Sequence, residues 1–193
     1  MNHREKRQFL IQALLKERPE YRDMRIPTEP ESQRQLLRGL MNIRAPQRTD
    51  AEFLKTQDAY LQGETAAKGI TDIAGLTPIQ PGLYLWQGDI TTLKCDAIVN
   101  AANSGMTGCY IPNHRCIDNA IHTYAGVELR LACAELMEQQ GHPEPTGQAK
   151  ITPAFNLPCR YVLHTVGPII DGRVTKEDKE LLASCYRSCL ELA

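Results

Sequence analysis

The stretch Gly88 to Tyr124, GDITTLKCDAIVNAANSGMTGCYIPNHRCIDNAIHTY, decides how this chain is read. A strand-like run, Ala97 to Asn100, opens into a polar loop of small residues. That loop carries Cys109, His114 and Cys116 just before a helical pattern begins. Small residues let a ligand come close to the backbone, and sulfur with imidazole is the donor chemistry that zinc prefers. Such a loop is suited to hold both a phosphorylated ligand and a metal.

On either side of this stretch, short β-rich runs alternate with helices. Leu83 to Gln87, Ala97 to Asn100, Gln148 to Thr152 and Tyr161 to Val166 read as strands. Cys116 to Tyr124 and Val127 to Gln140 read as two helices broken near Ala125 and Gly126. Thr175 with Asp178 reads as a capping box that opens a helix turning Leu181, Leu182, Cys185 and Cys189 inward. Alternation of this kind predicts an α/β fold, a mostly parallel sheet flanked by helices with ligand loops at the carboxyl ends of its strands. The loop after Asn100 lies at such an end.

Before the Gly- and Pro-punctuated stretch Gly69 to Gly82 the chain reads as helical. Phe9, Leu10, Ala13 and Leu14 make one helical face, and Leu36, Leu37, Leu40 and Met41 make another. Thr49 with Glu52 reads as a capping box for a helix that buries Phe53, Leu54 and Leu61. Prolines at 19, 27, 30 and 46 separate these segments. Two regions are expected, a helical extension over 1–75 packed on a main domain over 76–193; recognition of a partner is the other use for such helices.

Composition narrows the function classes. With 193 residues and 42% hydrophobic content, the chain can build one ordinary domain plus an appendage. No apolar run approaches the ~20 residues of a membrane span. The opening MNHREKRQF has no apolar signal core, which makes the cytoplasm the expected compartment. Seven cysteines, an odd number in a chain of this size, fit reduced thiols better than a disulfide framework. The 22 basic and 23 acidic residues nearly cancel, leaving no electrostatic footprint for nucleic acid.

Five ordered motifs carry a specific resemblance: GDIT at 88–91, DAIVNAAN at 96–103, IDNAIH at 117–122, GQAKIT at 147–152 and VLHTVGP at 162–168. Together they resemble a macrodomain over roughly residues 82 to 170. The insert Cys109-Tyr-Ile-Pro-Asn-His114-Arg-Cys116 departs from the glycine-run form of that loop and is similar to the zinc-dependent subfamily. The resemblance implies a mixed sheet flanked by helices in three α/β/α layers, with an N-terminal helical extension. It implies ADP-ribose as ligand, and removal of ADP-ribose from mono-ADP-ribosylated proteins as activity. A non-catalytic ADP-ribose-binding module and an inactive fragment are the alternatives. It also makes a sirtuin-type ADP-ribosyltransferase and a lipoyl-carrier protein plausible partners.

Each candidate residue has a plain structural reading beside the functional one. From spacing alone Asp89 ends a strand or caps a turn; the resemblance makes it the acceptor for adenine's exocyclic amine, with the adjacent backbone at Ile90 orienting the base. Asn100 and Asn103 are turn-prone amides that can also bond ribose hydroxyls, and the resemblance assigns the distal ribose to Asn103. Cys109, His114 and Cys116, spaced C-x4-H-x-C, are either ordinary thiols beside an exposed imidazole or three zinc ligands; the resemblance favours zinc. Three ligands leave a fourth position open to water or a ligand oxygen, unless Cys95, Cys133 or Cys159 closes it.

Asp118 either stabilises the positive end of its helix or, as the resemblance implies, assists catalysis beside the ribose held by Asn103. His122 shares its helical face, and it and His164 read as packed core histidines. The chain stops at Ala193 within a helix, without a helix-ending signal. Against the resemblance this predicts that residues 76–193 supply only the N-terminal part of the domain. The second phosphate loop and closing strands would be missing, the last helix uncovered and a sheet edge exposed.

Overall fold

The computed structural model describes residues 1–21 and 23–193. Three helices come first. α1 (His3–Lys16) starts at a capping box in which Asn2 and Glu5 satisfy each other's backbone N–H groups. α2 (Pro30–Ile43) begins with Pro30 in its first turn, where the missing N–H costs nothing. α3 (Ala51–Lys68) is capped by Asp50, whose carboxylate accepts from Phe53 N at 2.7 Å. The expected Thr49 and Glu52 box is therefore displaced by one residue. Asp50 serves both as acceptor and as a negative charge at the helix's positive end. Leu10, Ile11, Leu14, Leu37, Leu40, Met41, Phe53, Tyr60 and Leu61 close a core between the three helices. Each such large side chain contributes roughly 1.5–3 kcal/mol on burial.

The linker-like stretch holds two short strands, β1 (Thr71–Asp72) and β2 (Pro78–Gln80). β2 forms a hairpin with β3 (Leu83–Tyr84), and β1 pairs in parallel with β4 (Leu93–Lys94). The strand expected over Leu83 to Gln87 is thus reduced to two residues. Leu83, Tyr84 and Leu85 are exposed, so no packed layer extends the pairing.

The main sheet has β5 (Ala97–Ala102), β6 (Ala149–Pro153) and β7 (Tyr161–Val166) in the order β5-β7-β6. β5 runs parallel to β7 with Asn100 opposite His164, while β6 is antiparallel to β7. α4 (Ile117–Ala125) and α5 (Val127–Gln140) cover one face, where Ile98, Val162 and Val166 pack on Ile121, Leu129 and Cys133. The break between them is Gly126, at φ 99°, where a side chain would also strike Gln57 of α3. α6 (Lys176–Leu192) lies against β6 and β7 and opens with the expected Thr175 and Asp178 box. It buries Cys185 and Cys189, but Leu182 is half exposed rather than inward, and Tyr186 and Leu190 are exposed too. The result is a mixed sheet with helices on both faces and a helical region ahead of it. Among the described residues no helix is long and apolar enough to cross a membrane.

Candidate active site

The carboxyl end of β5 delivers two amides to opposite environments. Asn100 points to the α4 face and is fully buried. Its Nδ2 donates to Asp118 Oδ1 at 2.8 Å and lies 3.1 Å from His164 Nδ1. In this structure Asn100 therefore holds Asp118 from behind rather than facing solvent, whereas the sequence reading made it a ribose contact. Asn103, three residues on, sits in the exposed loop. Its Oδ1 accepts from Gly105 N, while its Nδ2 donates to Gly108 O at 3.2 Å and approaches Asp118 Oδ2 at 3.5 Å.

Asp118 occupies the first turn of α4, so the helix N-terminus faces its carboxylate. Burial pushes its pKa above the ordinary aspartate value, and the Asn100 amide and the Arg130 charge pull part of the way back. Behind it lie two buried histidines. His164 bonds Thr152 Oγ1 at 2.9 Å and approaches Cys133 Sγ at 3.8 Å, the packed role expected of it. His122 is packed as well, with Nε2 3.6 Å from Asp118 Oδ1, but neither ring nitrogen has a hydrogen-bond partner among the described residues. Burial keeps both rings neutral, holding His164 down to about 4 and His122 well below 6.5.

The loop between Asn103 and α4 brings Cys109, His114 and Cys116 together, with one donor atom from each within 4.8 Å of the others. Cys109 Sγ lies 3.5 Å from His114 Nδ1. Cys116 is the N-cap of α4, its sulfur accepting from Asn119 N at 3.3 Å. Two soft sulfurs and an imidazole this close fit a single zinc ion. None of Cys95, Cys133 and Cys159 joins the group. Cys133 lies with His122 and His164, Cys95 donates to Ala97 O, and Cys159 is buried beside Cys95.

Asp89 caps the turn Ile90–Thr92, accepting from Thr91 N and Oγ1 at 3.0 and 2.6 Å. Its other oxygen meets Lys68 Nζ at 2.9 Å. Burial alone would raise its pKa, but these bonds outweigh it and hold the carboxyl below its usual value. Lys68 also sits 3.3 Å over the Tyr124 ring. Sequence reasoning missed Lys68, since nothing in a helix C-terminus announces contact with a turn 21 residues away. Ile90 is partly buried against the sheet core. A cleft of about 420 Å³ opens between α2, α3 and the loop, lined among others by Arg34, Arg38, Tyr60, Asn113, Arg115 and Tyr124.

A mixed sheet with helices on both faces and polar loops beyond its parallel strands defines an α/β protein of the class whose ligand sites lie at the carboxyl ends of the strands. Residues 99–193 match the family model described as Macro domain. A protein-ADP-ribose hydrolase of Treponema medium is 60% identical over 197 aligned residues, covering 100% of this chain and 76% of its own length. The protein of the same name from Staphylococcus aureus strain MSSA476 is 48% identical, over 96% of this chain and 70% of its own. Among solved structures, the Trypanosoma brucei macrodomain in complex with ADP superposes with a TM-score of 0.55 at 29% identity, covering 82% of this chain and 68% of that one. The chain belongs to the macro domain family.

Proposed function

We propose that the protein is a zinc-dependent hydrolase that removes ADP-ribose from mono-ADP-ribosylated proteins. The names of the Treponema and Staphylococcus relatives support the reaction, and the ADP bound to the trypanosomal relative supports the ligand class. The observation that carries the metal reading is the convergence of the Cys109, His114 and Cys116 donors in the loop that joins Asn103 to Asp118.

Each part of the site has a task. Asn103 is exposed and its amide bonds the loop backbone and approaches Asp118, which suits it to hold a ribose hydroxyl at a fixed distance from the carboxylate. Asp118, raised by burial and oriented by Asn100, is poised to accept or return a proton at the ribose. Asp89 and Ile90 lie at the turn where adenine would be held; exchange of the Lys68 ion pair for a base amine keeps the Asp89 carboxylate satisfied. Cys109, His114 and Cys116 would hold a zinc ion, which would supply Lewis-acid chemistry beside the ribose, polarising a substrate oxygen or acidifying a water.

The test is metal content together with turnover of a mono-ADP-ribosylated protein. Stoichiometric zinc is expected, and Cys109→Ser, His114→Ala and Cys116→Ser should each remove both zinc and turnover. Full activity in these variants would refute the metal role. Tight ADP-ribose binding with no hydrolysis by the zinc-loaded protein would make it a binding module instead.

A further inference from the structure

The three donors of the metal loop lie on a segment with little structure of its own. Within residues 109–116 the backbone makes a turn bond from His114 N to Ile111 O, and Asn113 stands at φ 56°, a left-handed conformation unusual for a side-chain-bearing residue. The loop is mostly exposed. What fixes it comes from outside.

Arg38, in the middle of α2, donates through Nη2 to His114 O at 3.0 Å. The same guanidinium forks onto Asn119 Oδ1 at 3.2 and 2.9 Å, and Asn119 Nδ2 in turn donates to Ile111 O at 3.0 Å. One helical turn later, Asn42 Oδ1 accepts from Asn113 N at 2.9 Å, while its Nδ2 donates to Thr123 Oγ1 at 2.9 Å. Between them is Gly39, where a β-carbon would come within 3.3 Å of the Asn113 side chain, so the loop crosses α2 where the helix is thinnest. Arg130 of α5 completes the frame, bonding the carbonyls of Met41 and Asn42 in the last turn of α2 and of Arg44 just after it, and reaching Cys109 O at 3.4 Å. Asn42, Asn119 and Arg130 are all buried.

We propose that Arg38 and Asn42 are positioning residues for the metal loop, so that the N-terminal helical region sets zinc affinity although it supplies no ligand. The inference rests on the metal reading above. Its physical basis is pre-organisation. A loop with exposed backbone must give up conformational freedom to close three donors on one ion, and bonds that already fix His114 O, Ile111 O and Asn113 N remove much of that cost. Outer residues that orient ligands this way typically govern affinity by ~10–100-fold.

Zinc affinity measured by chelator competition tests the proposal, with urea denaturation confirming that each variant is folded. Arg38→Ala and Asn42→Leu are expected to bind zinc ~10–100-fold more weakly than the wild type. Arg38→Lys, which keeps a donor for His114 O but not the fork onto Asn119, should fall between. Arg34→Ala is the control; it lies on the same helix, and among the described residues its guanidinium bonds Glu31 and Glu64 rather than the loop backbone, so it should bind like the wild type. Tight zinc in the wild type with unchanged affinity in Arg38→Ala and Asn42→Leu overturns the proposal, as does an equal loss in Arg34→Ala. Should Arg38→Ala fail to fold, Arg38→Lys decides, wild-type affinity in it being the overturning result. Absence of zinc from the wild type is a different result and defeats the metal reading itself.

Discussion

Acidification from about pH 7 to about pH 5 should destabilise the fold, with His164 as a principal cause. Its imidazole is fully buried between β5, β6 and α5, which holds its pKa down to about 4, against 6.5 in an unfolded chain. Between those values the unfolded chain takes up a proton that the folded one refuses, so stability falls as pH falls through the window from 6.5 toward 4. Over the two-unit step His164 alone costs about 2 kcal/mol. His122, also depressed by burial, adds in the same direction. Asp118 works oppositely, since its raised pKa lets the folded state bind a proton first as pH drops toward the carboxylate range. With a urea slope of ~2 kcal/mol per molar, the histidine term lowers the midpoint by about 1 M. The assay is urea unfolding at both pH values, with a chelator present so that metal release does not contribute. A His164→Gln variant should show a smaller drop. A wild-type midpoint that stays level or rises on acidification would refute the reasoning.

Two further outcomes follow from the buried charges. Arg130→Met keeps the aliphatic stem but strips three carbonyls near the end of α2 of their buried charged donor. A loss of ~3–5 kcal/mol is expected by urea unfolding, and a loss under about 1 kcal/mol would mean that water replaces the guanidinium freely. Asp118→Asn should lower turnover by ~10²–10⁴-fold while leaving ADP-ribose binding, measured by calorimetry, within a few fold. Unchanged turnover would remove Asp118 from the chemistry.

Much of the architecture was legible because it rests on local rules. The Thr175 and Asp178 box, the break at Gly126 and the strand Tyr161–Val166 depend on side chains a few residues apart, and each stands where sequence pattern placed it. Errors fell where neighbours distant in sequence decide. Leu83 to Gln87 has a strand's composition, but among the described residues it pairs only with β2, and Leu83, Tyr84 and Leu85 stay exposed. Leu182 has a helix's inward spacing, yet the surface it would need is not against it.

For the site, the sequence by itself determined the donor types and their loop: Asn103, the Cys109, His114 and Cys116 triplet, and Asp118 at a helix start, all within 16 residues. Tertiary structure alone decided which of these face solvent and which are held from behind. Asn100 sits behind Asp118 because strand register sets it opposite His164 and strand alternation turns it inward. Lys68 on Asp89, Arg38 on His114 O and Asn42 on Asn113 N join residues 21, 76 and 71 positions apart. No local periodicity encodes such pairs. They exist because packing of α2 on α4 brings Arg38 and Asn42 to the 109–116 loop while packing of α3 on the Ile90–Thr92 turn brings Lys68 to Asp89, and packing is a property of the whole chain.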